Sequence, residues 1–367
     1  MTAARIRING SFRGQTITGQ QRYAAEVARH LAALHPESVH ERAPGRWWSR
    51  KALRAWLWSQ TVGFGRRGEI LLTLTSRGPL LARRHVIVVH DLFVFTHPEW
   101  FSRRYAWSHV PVLWIQIFSA RAIVAVSDPV AEQVRALTKG RKRVLVAPNA
   151  PAEVFLEGGG APETLHRTLD RTGLTAGSFI LAVGSLDPRK NLERLVEAHR
   201  RLPEPLRASH PLVIVGGRNT ATGHVSLAGD QSTRLLGRIG DEELAALYAA
   251  AAVVAFPTLD EGFGLPAVEA LAAGAELLVS DIPVMRWVCG EFASYVDPYS
   301  IDAIAGELTR ALTEPRSSPE DRAARRHYAA SRFSWDLTCT AITKGLQAMS
   351  SDGTPCVTSN EGVQRPA

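Results

Sequence analysis

The sequence predicts an α/β protein built from two doubly wound, parallel-sheet domains that face each other across a cleft. Short β-branched runs alternate with longer amphipathic stretches through most of the chain, the rhythm of parallel strands covered by helices. Gly158, Gly159 and Gly160 interrupt that series, and a second one starts after them. The charge also divides there: residues 1–150 hold 23 Lys+Arg against 8 Asp+Glu, and residues 151–367 hold 20 against 27, a basic half and an acidic half. A chain of 367 residues fits two or three domains of about 150 residues each. Its 45% apolar content is enough for real cores and excludes a disordered protein.

Taken in order, the first half offers strands at 5–9, 69–74, 85–89, 122–126 and 144–147, with amphipathic helices at 21–34 and 129–137 between them. The run Val86-Ile-Val-Val is continuously apolar, as a strand covered on both faces must be. The second half offers strands at 179–183, 212–215, 233–236, 253–256 and 277–279, and helices at 192–201, 241–250 and 266–273. Residues 319–349 read as largely helical, and 350–367 as a polar, disordered tail. The expected division is 1–160 and 161–330 for the two Rossmann-like domains, with the linker near 151–165. A C-terminal helix at 331–349 and the tail at 350–367 follow.

The start of the chain has no apolar core of signal-peptide length, and its longest apolar stretches fall short of the roughly 20 residues that span a bilayer. Cys289, Cys339 and Cys356 are too few and too scattered for a disulfide framework, and no Cys-x-x-Cys pair offers a zinc site. These features predict a soluble or peripheral protein of a reducing cytoplasm.

In open α/β sheets ligands bind beyond the carboxyl ends of the strands, so motifs there carry the chemistry. The segment from Thr258 to Leu271 follows a strand and opens a helix: Gly262 and Gly264 permit close backbone approach, and Pro266 suits a first helical turn. Free N–H groups and the dipole at such a helix start attract an anion. Glu261 and Glu269 are acceptor-only carboxylates suited to sugar and ribose hydroxyls. On one continuous helix they would stand about 12 Å apart. After the strand at 179–183, Gly184-Ser185-Leu-Asp-Pro-Arg189-Lys190-Asn places two cations where the chain leaves the sheet, a planar fork and a compact charge suited to a diphosphate. His90 ends the strand at 85–89, either as a satisfied core residue or as a hydrogen-bond donor to substrate. Gly14 and Gly19 flank the link into the first helix, where the backbone has room to close over phosphates. The one Gly-x-Gly-x-x-Gly match, Gly63 to Gly68, precedes a strand instead of joining strand to helix, and no P-loop motif is present.

Together these motifs resemble the retaining, nucleotide-sugar-dependent glycosyltransferases of the GT-B fold, specifically glycosyltransferase family 4. The resemblance covers most of residues 1–345 and is most specific over 179–298, where Gly184 to Asn191, Ile214-Val-Gly-Gly, Leu236 to Leu244 and Glu261 to Glu269 follow in the family's order. Thr18-Gly-Gln-Gln-Arg-Tyr, Val89-His-Asp-Leu, Ala125-Val-Ser-Asp and Pro148-Asn resemble it more loosely, and Phe333-Ser-Trp-Asp resembles its returning C-terminal helix. The resemblance implies that Glu261, with the backbone of Gly262, Phe263, Gly264 and Leu265, holds the donor sugar and phosphates, and that Glu269 binds the ribose. It further implies that Lys190 and Arg189 stabilise the departing nucleoside diphosphate, that Ser185 lies in the diphosphate grip, that His90 meets the transferred sugar, and that Gly19 approaches the diphosphate. The implied reaction is same-face transfer of a hexose, GDP-mannose first, with the leaving phosphate taking the acceptor's proton. No Asp-x-Asp motif is present, and metal independence is expected. Three departures stand out: Ser185 where many members have Arg, Ala275-Glu276 in place of a small-Pro pair, and Trp287 at a position that often holds Glu.

Seven of the nine tryptophans, Trp47, Trp48, Trp56, Trp58, Trp100, Trp107 and Trp114, fall in the basic half. Arg/Trp-rich segments at 46–58 and 100–107 suit either a helix lying on an anionic membrane or a tryptophan core rimmed by arginine. The first reading implies a glycan or lipid-linked acceptor at the inner membrane face. The alternatives are a basic nucleic-acid-binding protein and a GT-B enzyme handling a sugar phosphate.

Overall fold

A computed structural model describes residues 5–15, 18–49, 51–63, 68–157, 162–217 and 232–351. The glycine run at 158–160, most of the Gly63 to Gly68 segment and the tail beyond 351 lie outside the described residues.

The first sheet contains β1 (Ile6–Asn9), β2 (Val39–Arg42), β3 (Ile70–Thr73), β4 (His85–Val89), β5 (Ala122–Ala125) and β6 (Arg143–Val146), in the order β2-β1-β3-β4-β5-β6. The second contains β7 (Ile180–Val183), β8 (Leu212–Val215), β9 (Thr233–Gly237), β10 (Val253–Phe256), β11 (Leu277–Ser280) and β12 (Ser294–Val296), in the order β12-β11-β10-β7-β8-β9. Every pairing is parallel, with Val86 opposite Ala122 in one sheet and Val254 opposite Leu277 in the other. Every residue of β4 and β10 is buried, which accounts for their unbroken apolar runs. Burying each valine or isoleucine contributes roughly 1.5–3 kcal/mol. Two strands escape the sequence pattern, and both are sheet edges. β2 reads Val-His-Glu-Arg with only Val39 buried, and β12 is three residues long.

The region 319–349 is two helices, Pro319–Arg332 and Trp335–Ser351. The first opens on a reciprocal cap between Ser318 and Asp321, which satisfies two otherwise unpaired N–H groups. The chain turns at the buried Phe333, and the second helix then crosses to the first sheet. There it packs on the helix Gly19–Leu34 and on β6, and Thr338 Oγ1 donates to the Pro148 carbonyl at 2.7 Å. Gly345 is required at this crossing, because a Cβ would sit 2.3 Å from Leu145.

Candidate functional site at the carboxyl ends of the two sheets

The loops that leave β7 and β10 are knitted together. After β7 a single 3-10 turn, Pro188–Lys190, is capped by Asp187, whose carboxylate accepts from the Arg189 N–H. Thr258 Oγ1 and the Leu259 N–H both donate to the Arg189 carbonyl, at 2.9 and 2.8 Å. Asn191, with φ of 57° and a buried side chain, donates from Nδ2 to the carbonyls of Pro257 and Pro298. These bonds hold the two loops of the second sheet in one register. As a result Lys190 Nζ pairs with the Glu261 carboxylate, 71 positions away in sequence. The pocket around that pair is lined by Lys190, Thr258, Glu261, Gly264, Pro266 and Met285. The helix Leu265–Ala272 opens onto it.

Glu261 precedes this helix, so the continuous-helix spacing does not apply: only Glu269 is helical. Gly264 caps the helix at φ of +84°, a left-handed conformation that favours glycine.

Charge is concentrated here. Burial would lower the Arg189 pKa, but Glu261, Asp187 and Asp91 together raise it above its ordinary value. Burial would likewise raise Asp187, yet Arg189, the Ser185 hydroxyl and Lys190 hold it below the usual carboxylate range. Asp91 and Asp260 are both pushed up by burial. Arg189 also lies 5.1 Å over the Phe93 ring, from the first half of the chain.

The first sheet closes on this platform through the ends of β4 and β5. Ser127 Oγ donates to the Gly262 carbonyl at 2.7 Å, and a Cβ on Gly262 would stand 1.9 Å from the His90 carbonyl. Gly262 is therefore glycine because another backbone touches it, and its carbonyl is engaged by protein. Trp287 Nε1 donates to Asp128 at 2.9 Å, a second tie across the same boundary.

Several expected site residues take other partners. Ser185 donates to Asp187 at 2.5 Å, so its hydroxyl braces the loop. The Phe263 ring packs among Trp287 and Phe333, leaving only its backbone to meet a ligand. His90 is buried edge-on to Tyr23, and burial lowers its pKa to about 4, so it is neutral. Its Nε2 lies 2.9 Å from the Leu74 carbonyl, which only accepts. The proton therefore sits on Nε2, and the free Nδ1 is an acceptor, correcting the expected donor role. Gly19 begins the first helix with open space around its α-carbon, and Leu265 is the first residue of its helix.

Glu269 is nearly sealed, and burial pushes its carboxyl up to about 8 against the opposing pull of Arg22. Arg22 Nη1 donates to Glu269 Oε1 at 3.1 Å, while Nη2 bridges both oxygens of Asp241 at 2.8 and 2.7 Å. Arg22 and Asn191 stand inside the motifs at 18–23 and 184–191, but nothing local assigns either a role. The partners of both are remote in sequence, and the only local signal was their place beside a recognised glycine or lysine.

Two parallel six-stranded sheets, joined at their carboxyl ends around a cation-bearing loop and a Glu-Gly-Phe-Gly turn, define a glycosyltransferase of the GT-B class. The chain belongs to the group 1 glycosyl transferases, whose family pattern matches residues 173–332. It is 30% identical over 271 residues to the O-antigen chain mannosyltransferase B of Escherichia coli, covering 72% of this chain and 70% of that protein. Among solved structures, a sucrose-phosphate synthase from Thermosynechococcus elongatus superposes with a TM-score of 0.70 at 17% identity, covering 95% of this chain and 99% of that one. WaaG, a glycosyltransferase involved in lipopolysaccharide biosynthesis, gives 0.66 at 17% identity, covering 92% and 98%.

All three departures from the family pattern have structural uses, Ser185 as the brace to Asp187 already described. Trp287 fills the aromatic cluster and reaches Asp128, and Glu276 pairs with Arg325. Among the described residues no helix is long and apolar enough to cross a membrane.

Proposed function

We propose that the protein transfers mannose from GDP-mannose, with retention of configuration, to a glycan or lipid-linked acceptor of a surface polysaccharide. The observation that carries this reading is the Lys190–Glu261 pair at the mouth of the helix Leu265–Ala272, with Arg189 beside it. In this reading Lys190, Arg189 and the N–H groups of that helix stabilise the negative charge that grows on the leaving diphosphate, the part a metal plays elsewhere. Glu261 orients the sugar, Glu269 holds the ribose, His90 accepts a hydroxyl proton of the transferred sugar as a hydrogen bond, and the leaving phosphate takes the acceptor's proton. The likeness to an O-antigen mannosyltransferase supports the choice of donor and acceptor class. A cytoplasmic protein resting on an anionic inner membrane face fits the basic, tryptophan-bearing half.

The test starts with thermal-shift screening of GDP-, UDP- and dTDP-sugars, since a ligand at 100 times its Kd adds about 2.7 kcal/mol of stability. Transfer is then assayed with the selected donor. Lys190→Ala and Glu261→Ala are each expected to lower kcat by at least about 100-fold with the fold retained, and wild-type activity is expected to persist in EDTA. Normal turnover by either variant would refute the assignment, and loss of activity in EDTA would refute metal independence.

A further inference from the structure

The described residues contain one place where a cation from the first half is held by two carboxylates of the second, and one of those carboxylates is buried. Arg22 lies in the second turn of the helix Gly19–Leu34, three positions beyond Gly19. Its side chain is 26% exposed, whereas the Glu269 side chain is 7% exposed. The fork is divided: Nη2 is spent on Asp241, at the first turn of the helix Asp241–Ala250, and Nη1 on Glu269 Oε1. Glu269 Oε2 accepts from none of the described residues. The phenol of Tyr248, on the helix Asp241–Ala250, is fully buried with no hydrogen-bond partner among the described residues, and burial, with the nearby Glu269 and Asp241 charges against the pull of Arg22, raises its pKa well above the ordinary value.

This division has a geometric consequence. Held through Nη2 by Asp241 and through Nη1 by Glu269, the planar guanidinium is tied at both terminal nitrogens, and its Nη1–H vector keeps one direction. The Glu269 carboxylate, held through Oε1 by that vector and enclosed by packing on its other sides, keeps Oε2 in one place. We propose that Arg22 is a positioning residue for the donor: anchored by Asp241, it fixes Glu269 through Oε1 and thereby aims Oε2 at the ribose hydroxyls. The inference rests on the reading that Glu269 holds the ribose.

A merely structural strut would lose affinity for every nucleotide equally. A positioning residue loses the part that depends on the ribose hydroxyls. The experiment therefore measures Kd by calorimetry at about pH 9, above the value of about 8 to which burial pushes the Glu269 carboxyl, for GDP and for 2′,3′-dideoxy-GDP, or for the corresponding pair if the donor screen selects another base. The wild-type protein is expected to prefer GDP by about tenfold or more, the scale of one well-made hydrogen bond to a charged group. Glu269→Gln is expected to weaken GDP binding and abolish the preference.

Arg22→Gln, checked for an intact fold by its melting curve, is expected to reduce the preference to within about threefold while leaving dideoxy-GDP affinity nearly unchanged. Arg22→Lys keeps the charge but not the fork, and is expected to restore part of it. If the folded Arg22→Gln protein keeps the full preference, Arg22 is only a strut and the proposal is overturned. If the wild-type protein shows no preference, or Glu269→Gln leaves it intact, the ribose reading of Glu269 fails instead.

Discussion

Gly262 is the residue on which the meeting of the two halves is most finely balanced. Its α-carbon faces the His90 carbonyl so closely that a methyl group would overlap it, while its own carbonyl is held by Ser127. Gly262→Ala must therefore push β10's loop away from the first sheet. The expected result is a fall in kcat/KM of tenfold or more, with about 1–3 kcal/mol lost from stability, the usual cost of an added methyl in a tight contact. Unchanged kinetics in this variant would mean that the observed approach of the halves is not the one used in turnover. The glycine was visible in the sequence, but the reason for it was not. The motif invited a ligand explanation, and only the fold brings residue 90 against residue 262. Lys190 and Glu261 were legible for the opposite reason, because each sits directly after a strand whose apolar run announces it. Arg22 stood in a quoted motif, yet its partners lie 219 and 247 positions away, and no local pattern encodes them.

At the scale of elements, the central strands and their helices were readable because burial on both faces leaves an apolar run. The edge strands β2 and β12 were not, because β2 sets one buried valine before three polar residues and β12 is only three residues long, whereas the edges β6 and β9 keep short apolar runs. The tryptophans also needed the structure. Trp107 is 87% exposed and Trp47 59%, whereas Trp56, Trp58 and Trp100 are half-buried, so the basic half is neither a simple tryptophan core nor a uniform surface. The helices Ala52–Val62 and Arg103–Ser119 both grip the loop between them: Gln60 and Gln116 donate to the Gly78 carbonyl, and Ser119 to that of Leu80. Leu53, Leu57, Trp107 and Trp114 on these helices, and Leu81 on the loop, are exposed. No Asp or Glu occurs at 43–68 or 100–127, so nothing in these segments repels an anionic surface. Vesicle sedimentation with phosphatidylglycerol-rich membranes at low salt is expected to capture the protein. Replacing Arg46, Arg54, Arg103 and Arg104 by Gln is expected to weaken that binding by at least about 100-fold, at roughly 1 kcal/mol per residue near the surface. Failure of the wild-type protein to bind, or undiminished binding by the variant, would remove the membrane from the proposal.

For the whole molecule, three buried groups set opposing slopes of stability against pH: His90 and Glu269 where the halves meet, and His85 at the amino end of β4. His85 and His90 are held neutral by burial, each with its pKa lowered from 6.5 to about 4. Between those values the unfolded chain binds more protons than the folded one, so stability rises with pH and is fully present above about 6.5. At 1.36 kcal/mol per unit, the two histidines together remove several kcal/mol as pH falls to about 4. Glu269 works in the other direction. Its carboxyl is raised from 4.5 to about 8, so the folded state keeps a proton that the unfolded state has released, and stability declines as pH climbs through that window. From pH 4.5 to 6.5 two histidines outweigh one glutamate; from 6.5 to 8 only the glutamate titrates. The melting temperature is therefore expected to peak near pH 6.5 and to fall on both sides. Glu269→Gln is expected to flatten the alkaline limb and leave the acid limb standing, and His85→Gln to flatten the acid limb alone. An alkaline limb that survives Glu269→Gln would show that the carboxylate holding Arg22 is already ionised at neutral pH, with the ion pair outweighing burial across the boundary.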